Sequence, residues 1–185
     1  NAVISQFPGE MKIWDCCAGS GGKSILASDL FKNIELTVSD KRKQILFNLE
    51  KRFKKAGIKN YRLFLSDLEK KPAAINQQFD LIIADVPCSG SGTWARTPEQ
   101  LYFFRKNKIR DYSLLQQNII THVLPDLSAG GYLLYITCSV FKKENEENVC
   151  LFREQHHLKL IAMEYFKGYE MRADTLFAAL LKKEG

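Results

Sequence analysis

Short apolar runs alternate along the chain with longer segments in which apolar positions recur every three or four residues. The runs Lys12–Cys17 (KIWDCC), Ile34–Asp40 (IELTVSD), Tyr61–Ser66 (YRLFLS), Phe79–Val86 (FDLIIADV) and Gly131–Ser139 (GYLLYITCS) are rich in β-branched and aromatic residues and predict strands. The intervening segments predict helices over Lys23–Leu30, over Arg42–Ala56 with Gly57 as its stop, over Tyr112–Leu127 before Gly130 and Gly131, and over Lys143–Gln155. Apolar strands separated by helix-length segments mean βαβ units, hence a parallel sheet with helices on both faces. After Leu158 the alternation stops. LKLIAMEYF and TLFAALLKK follow with no helix-like segment between them, which predicts a closing antiparallel pair. The expected fold class is therefore α/β: a doubly wound, mostly parallel sheet with an antiparallel closing strand.

Composition narrows the setting. At 185 residues and 45% hydrophobic, with no repeat, low-complexity tract or Pro/Ser-rich linker, the chain reads as one domain spanning residues 1–185. No signal-peptide pattern opens it, and no window approaches the roughly 20 apolar residues of a membrane helix. The five cysteines, Cys16, Cys17, Cys88, Cys138 and Cys150, are odd in number and form no C-x-x-C. Reduced thiols and a cytoplasmic setting are expected, with neither a disulfide framework nor a zinc site. Only three histidines are present, so no metal is expected. The net charge of +6 gathers at Lys41–Lys43, Lys51–Lys59 and Arg105–Arg110. These are either solvated helix faces or the footprint of an anionic partner such as nucleic acid.

The strand ends carry the chemistry. In doubly wound sheets ligands sit at the carboxyl ends of the strands, near the switch in strand order. Here those ends read DCCAGSGGKS, then Asp40, Asp67, DVPCSGSG and TCS. The first is a glycine turn of neither the G-x-G-x-x-G nor the P-loop pattern. Asp40 lies about 20 residues beyond it, where an acid commonly takes both ribose hydroxyls. Asp67 is placed to accept from an adenine amine. Two acids without a phosphate cradle favour an adenosine lacking phosphates, such as S-adenosylmethionine. The competing reading makes Asp40 and Asp67 helix caps. Cys88 and Cys138 each follow a strand expected to neighbour the other, so both can face one cavity. Cys16, Cys17 and Cys150 are expected to be inert buried thiols. A thiolate, a second thiol, an acid and a methyl donor together suit one reaction. Addition of a thiolate to C6 of a cytosine makes C5 nucleophilic enough to accept a methyl group. The base must then be single-stranded or flipped.

These residues resemble the Nop/Sun-type RNA (cytosine-5) methyltransferases, which include bacterial ribosomal RNA methyltransferases. D-x-P-C-S-G-x-G stands as Asp85–Gly92 and runs on to Arg96 and Pro98, matching the family's R-x-P. Y-x-T-C-S followed by E-N-E-x-x-V stands as Tyr135–Val149, and ADTLFAALLKK resembles the closing strand. The resemblance covers nearly the whole chain and implies a Rossmann-like class I methyltransferase domain. It implies that Cys138 is the nucleophile, that Cys88 assists product release and that Asp85 binds the N3/N4 edge of cytosine. It also implies that S-adenosylmethionine is held by Asp15, Cys17, Ala18, Gly19, Gly21, Gly22, Lys23, Asp40, Arg42, Asp67 and Asp85. Two departures stand out. The turn has Gly19-Ser20 where the family usually has Ala-Pro, and only Asn1–Met11 precede the first strand, so an N-terminal RNA-binding segment is expected to be missing.

A DNA cytosine-5 methyltransferase would also carry a Pro-Cys after the fourth strand, but no Thr-Cys at the fifth. An amino-methyltransferase would need Pro and an aromatic where Val86 and Cys88 stand. A cofactor-binding scaffold without catalysis would not need both thiols and Asp85. RNA is thus the expected partner, ribosomal rather than transfer RNA, acting on a monomer. Arg96, Arg105 and Lys106, just past the cysteine loop, are the candidate RNA contacts. Of Tyr102, Phe103 and Phe104, at least two are expected to be buried in helix packing.

Overall fold

The computed structural model describes residues 10–168 and 173–185. Seven strands form one sheet: β1 (Met11–Asp15), β2 (Ile34–Asp40), β3 (Tyr61–Leu65), β4 (Phe79–Asp85), β5 (Leu127–Thr137), β6 (Leu158–Phe166) and β7 (Leu176–Lys183). Their spatial order is β3-β2-β1-β4-β5-β7-β6. Neighbours from β3 to β5 pair in parallel, and β7 runs antiparallel to both β5 and β6. The helices are α1 (Gly22–Leu30), α2 (Lys43–Ala56), α3 (Pro98–Phe103), α4 (Asn107–Val123) and α5 (Glu146–His156). The predicted doubly wound sheet with its antiparallel closing strand is thus the fold observed.

Both faces of the sheet are covered, which is why its central strands are apolar throughout. On one face Trp14, Phe79, Ile82, Leu133 and Tyr135 pack against Ile119, Ile120 and Val123 of α4 and Val149 and Phe152 of α5. On the other, Ile13, Leu36, Val38 and Leu81 pack against Ala27 of α1 and Leu46, Leu49 and Phe53 of α2. The α2 residues recur at helical spacing, and Gly57 closes the helix in the left-handed conformation that glycine adopts without strain.

Element boundaries differ from expectation: α4 starts at Asn107 rather than Tyr112, and α5 at Glu146 rather than Lys143. α4 ends at Val123, ahead of Pro125, because a proline removes an amide donor and stops the helix well before Gly130. β5 accordingly begins at Leu127, before the expected Gly131. α3 was not anticipated at all.

The strand order reverses between β1 and β4, since β1 pairs with β2 on one side and with β4 on the other. The crevice beyond their carboxyl ends is where this architecture holds ligands. Asp15, Asp85 and the residue pair Thr137-Cys138 all arrive there from adjacent strands.

Candidate active site

β4 and β5 lie side by side with Asp85 opposite Ile136, so the residues just past each strand converge. Pro87 turns the chain after β4, and Cys88 Sγ comes within 3.1 Å of Cys138 Sγ. Both thiols are free and half-buried. The sulfurs share one hydrogen bond rather than a disulfide, and it sets their charge states apart. The Cys88 hydrogen bond holds the Cys138 thiol below its ordinary pKa, against burial and the nearby Asp85 charge. The Cys88 thiol is pushed far up by that same hydrogen bond and by burial. The two shifts run in opposite directions, so of the pair Cys138 is the thiol that ionises first.

A buried carboxylate fixes both cysteine loops. Glu144 is fully buried: Ser89 donates its N–H to Oε2 at 2.8 Å, Gln116 donates Nε2–H to the same oxygen at 3.2 Å, and Ser139 donates its hydroxyl to Oε1 at 2.9 Å. Ser89 follows Cys88 and Ser139 follows Cys138, so one side chain aligns the two. Gln116 also donates to the Pro87 carbonyl at 3.0 Å. Glycine is required at position 92, where a Cβ would lie 2.2 Å from the Thr175 carbonyl oxygen and 2.9 Å from that of Cys138. Nothing in the sequence marks Glu144 beyond its place in the E-N-E run, because a buried Glu cannot be told from a solvated one without its partners. Replacing Glu144 with alanine strands several buried donors, each worth about 1–3 kcal/mol. Urea unfolding of Glu144→Ala is expected to show a loss of at least about 2 kcal/mol, with Glu144→Gln losing less. An unchanged midpoint in Glu144→Ala would refute the clamp.

A cavity of about 430 Å³ opens beside the thiols, within the range that holds small ligands. Of the predicted residues, Cys17, Gly19, Asp40, Arg42, Asp85, Cys88 and Cys138 line it, together with Ser66 and the apolar Val86, Leu115 and Ile119. Asp40 is engaged within the chain: Arg42 grips both its oxygens at 2.9 Å, and the Gly19 N–H donates to Oδ2 at 2.9 Å. Burial would raise its pKa, but the Arg42 hydrogen bonds prevail and hold it below the usual carboxylate value. Lys23 does not line this cavity, yet its Nζ lies 2.6 Å from Asp85 Oδ2. Asp15 is fully buried, accepts the Ser24 hydroxyl at 2.6 Å and leaves Oδ1 without a partner. Burial pushes its pKa up to about 7.

Other candidates stand elsewhere. Asp67 faces an adjoining cavity lined by Arg62–Ser66 and Lys71–Ile75, forms an ion pair with Lys70 at 3.1 Å and keeps a buried, unpartnered Oδ1. Ser66 borders both cavities. Gly21 serves packing: its φ is +82°, and a Cβ there would lie 2.7 Å from the Phe53 ring and 2.9 Å from Leu49. Ala18 is buried and donates its N–H to the Ser39 carbonyl, while Gly22 opens α1. Arg96 is bound to Asp174 through two hydrogen bonds, whereas Arg105 and Lys106 are exposed. Two expectations are corrected. Cys150 is exposed on α5, four residues before the Glu154 it touches, because it lies on that helix's outer face. Tyr102 and Phe103 are exposed and only Phe104 packs inward, against Trp94 and Phe141. Among the described residues no three or more His, Cys, Asp or Glu side chains are grouped to hold a metal, and no helix is long and apolar enough to cross a membrane.

The chain is similar to known methyltransferases over most of its length. The family model described as 16S rRNA methyltransferase RsmB/F matches residues 3–180. The ribosomal RNA small subunit methyltransferase B of Erwinia tasmaniensis is 34% identical over 161 residues, 84% of this chain and 36% of that protein. The probable ribosomal RNA small subunit methyltransferase B of Bacillus subtilis is 30% identical over 146 residues, 78% of this chain and 33% of its own length. The chain thus spans about a third of the curated relatives it matches. The crystal structure of NSun6 from Pyrococcus horikoshii with SFG superposes with a TM-score of 0.84 at 26% identity, over 96% of this chain and 49% of that one.

Proposed function

The chain belongs to the RsmB/F family of 16S rRNA methyltransferases, and on that footing we propose that it is the catalytic domain of an enzyme that methylates C5 of a cytosine in ribosomal RNA. The donor is S-adenosylmethionine, and the reaction runs through a covalent bond from Cys138 to C6 of the base. One observation supports the mechanism: Cys88 Sγ lies 3.1 Å from Cys138 Sγ, and that contact lowers the Cys138 thiol pKa.

The residues present fit the cofactor. The cavity has carboxylates from Asp40 and Asp85 on its walls and the thiols beside them. Unpartnered oxygens of Asp15 and Asp67 lie nearby, each an acceptor without a donor. The NSun6 structure, which was solved with SFG, an analogue of S-adenosylmethionine, supports the same assignment. Cys17, Gly19, Asp40 and Ser66 would hold the nucleoside, with Arg42 yielding part of its grip on Asp40. S-adenosylmethionine bound there would supply an electrophilic methyl group.

The chain's own residues do the rest. The Cys138 thiolate attacks C6, and the C5=C6 electron pair moves into the ring toward N3. N3 takes a proton from solvent as it gains the pair, the Asp85 carboxylate accepts a hydrogen bond from the new N3–H, and Lys23 keeps Asp85 in place. Once C5 carries the methyl group, a base from solvent takes the C5 proton, the C5–H bonding pair becomes C5=C6, and the C6–S bond breaks with its pair on the Cys138 sulfur. Cys88 lies within hydrogen-bond reach of that sulfur and would donate to it as it leaves. Arg105 and Lys106, exposed past the cysteine loop, would meet phosphates.

Incubating the full-length protein with tritiated S-adenosylmethionine and unmodified 16S rRNA, then separating the nucleosides, is expected to place the label in 5-methylcytidine. Label in an N4-methylated cytidine would overturn C5 chemistry. Label acquired only on transfer RNA would overturn the ribosomal substrate.

A further inference from the structure

α3 puts two large aromatic rings in solvent beside the active site. Tyr102 is 85% exposed and Phe103 75%, and the rings meet edge to face with centroids 5.1 Å apart. Side chains of this size are normally covered, and no residue of this helix is buried. The helix borders both cysteine loops at two points. Gln100 lies 3.2 Å from where a Cβ of Gly90 would stand, two residues past Cys88. At its other end Phe104 stacks on Phe141, three residues past Cys138, with ring planes 14° apart. The surroundings are basic: between Arg96 and Arg110 there are five basic residues and one acid, Glu99.

We propose that Tyr102 and Phe103 form a stacking platform for the unpaired bases that flank the target nucleotide. The idea rests on the RNA substrate proposed above and adds how the strand is held. A base that enters a catalytic cavity must leave its helical stack, so its neighbours lose a stacking partner. Aromatic rings restore that contact without regard to sequence, while adjacent cations meet the phosphates. Aromatic surface alone would suit a protein partner equally, but the run of positive charge fits a polyanion.

The test is binding of a fluorescein-labelled single-stranded oligoribonucleotide of roughly 12 nucleotides to the full-length protein, read by anisotropy across a salt series. Tyr102→Ala and Phe103→Ala are each expected to weaken binding about fivefold or more. The slope of log Kd against log salt should stay unchanged, because no phosphate contact is lost. Tyr102→Trp should keep wild-type affinity. Arg105→Ala should instead flatten the slope by about 0.7 per lost phosphate contact. A double alanine variant within twofold of wild type would overturn the platform. So would a double variant whose only change is in mass or domain association, since the rings would then serve a protein contact. The assay needs no turnover. A fall in binding without 5-methylcytidine formation by the wild type would therefore remove the C5 chemistry and leave the platform standing.

Discussion

Cys138→Ala is expected to lower methyl transfer to RNA by at least about 10⁴-fold and to abolish any protein–RNA adduct that survives denaturing electrophoresis. Cofactor affinity should stay near wild type, because removing one sulfur from the cavity wall leaves the carboxylates untouched. Cys88→Ala is expected to do the opposite to the adduct. The sulfur leaving C6 would lose its hydrogen-bond donor at 3.1 Å, so the covalent complex should accumulate while turnover collapses. The same pair makes a pH prediction. The hydrogen bond from Cys88 favours the charged form of Cys138 and holds its pKa down. In Cys88→Ala that support is gone, so the alkylation rate of Cys138 should rise only at higher pH than in the wild type. A Cys88→Ala protein that forms no adduct, beside a Cys138→Ala protein that does, would reverse the two roles.

Asp85→Asn is expected to cost about 10²–10⁴ in single-turnover rate, the usual loss when a positioned acid or base is removed. An amide accepts the N3–H hydrogen bond more weakly than a carboxylate, and Lys23 would lose its partner at 2.6 Å. The pH dependence should move the other way from that of Cys88→Ala. The Asp85 charge opposes the Cys138 thiolate, so its removal lowers the thiol pKa and shifts the rising limb toward acid even as the plateau falls. Lys23→Met should shift that limb toward alkali, because the lysine charge favours the thiolate. Neither change should greatly affect stability, since both partners are about a third exposed and such ion pairs contribute little. A rate unchanged in Asp85→Asn would remove Asp85 from the reaction.

The sheet was legible because its strands are buried on both faces: runs such as LIIADV can be read without knowing what covers them. The thiol pair was legible for a related reason, as consecutive parallel strands deliver their ends to one edge. What escaped was whatever depends on contacts across the fold. α3 buries no residue, so no apolar period marks it, although Pro98 at its first position and Glu99 in its first turn are start signals. Gly21 sits in a glycine turn that looks made for a ligand, yet the space it leaves is filled by Phe53 and Leu49, residues some thirty positions away. Asp67 has the expected strand-end position, but the chain beyond it turns the carboxylate toward a second cavity. Glu144 looks like one acid among several in an exposed run, and only the convergence of Ser89, Gln116 and Ser139 reveals it.

The place of β7 bears on how such a protein comes to life on the ribosome. Gly92 accepts a backbone hydrogen bond from Thr175 on the approach to β7, and Arg96 is tied to Asp174. β7 itself slots between β5 and β6, and among the described residues β6 pairs with no other strand. A nascent chain halted before Leu176 would already contain both cysteines, yet its fifth strand would end in an open edge and its sixth would have nothing to join. Translation delivers strands one to five in an order that lets them pair as they emerge, whereas the cysteine loop gains its fastenings to Asp174 and Thr175 only when β7 threads into the gap. Competence for chemistry thus waits on the synthesis of β7, when the sheet is closed.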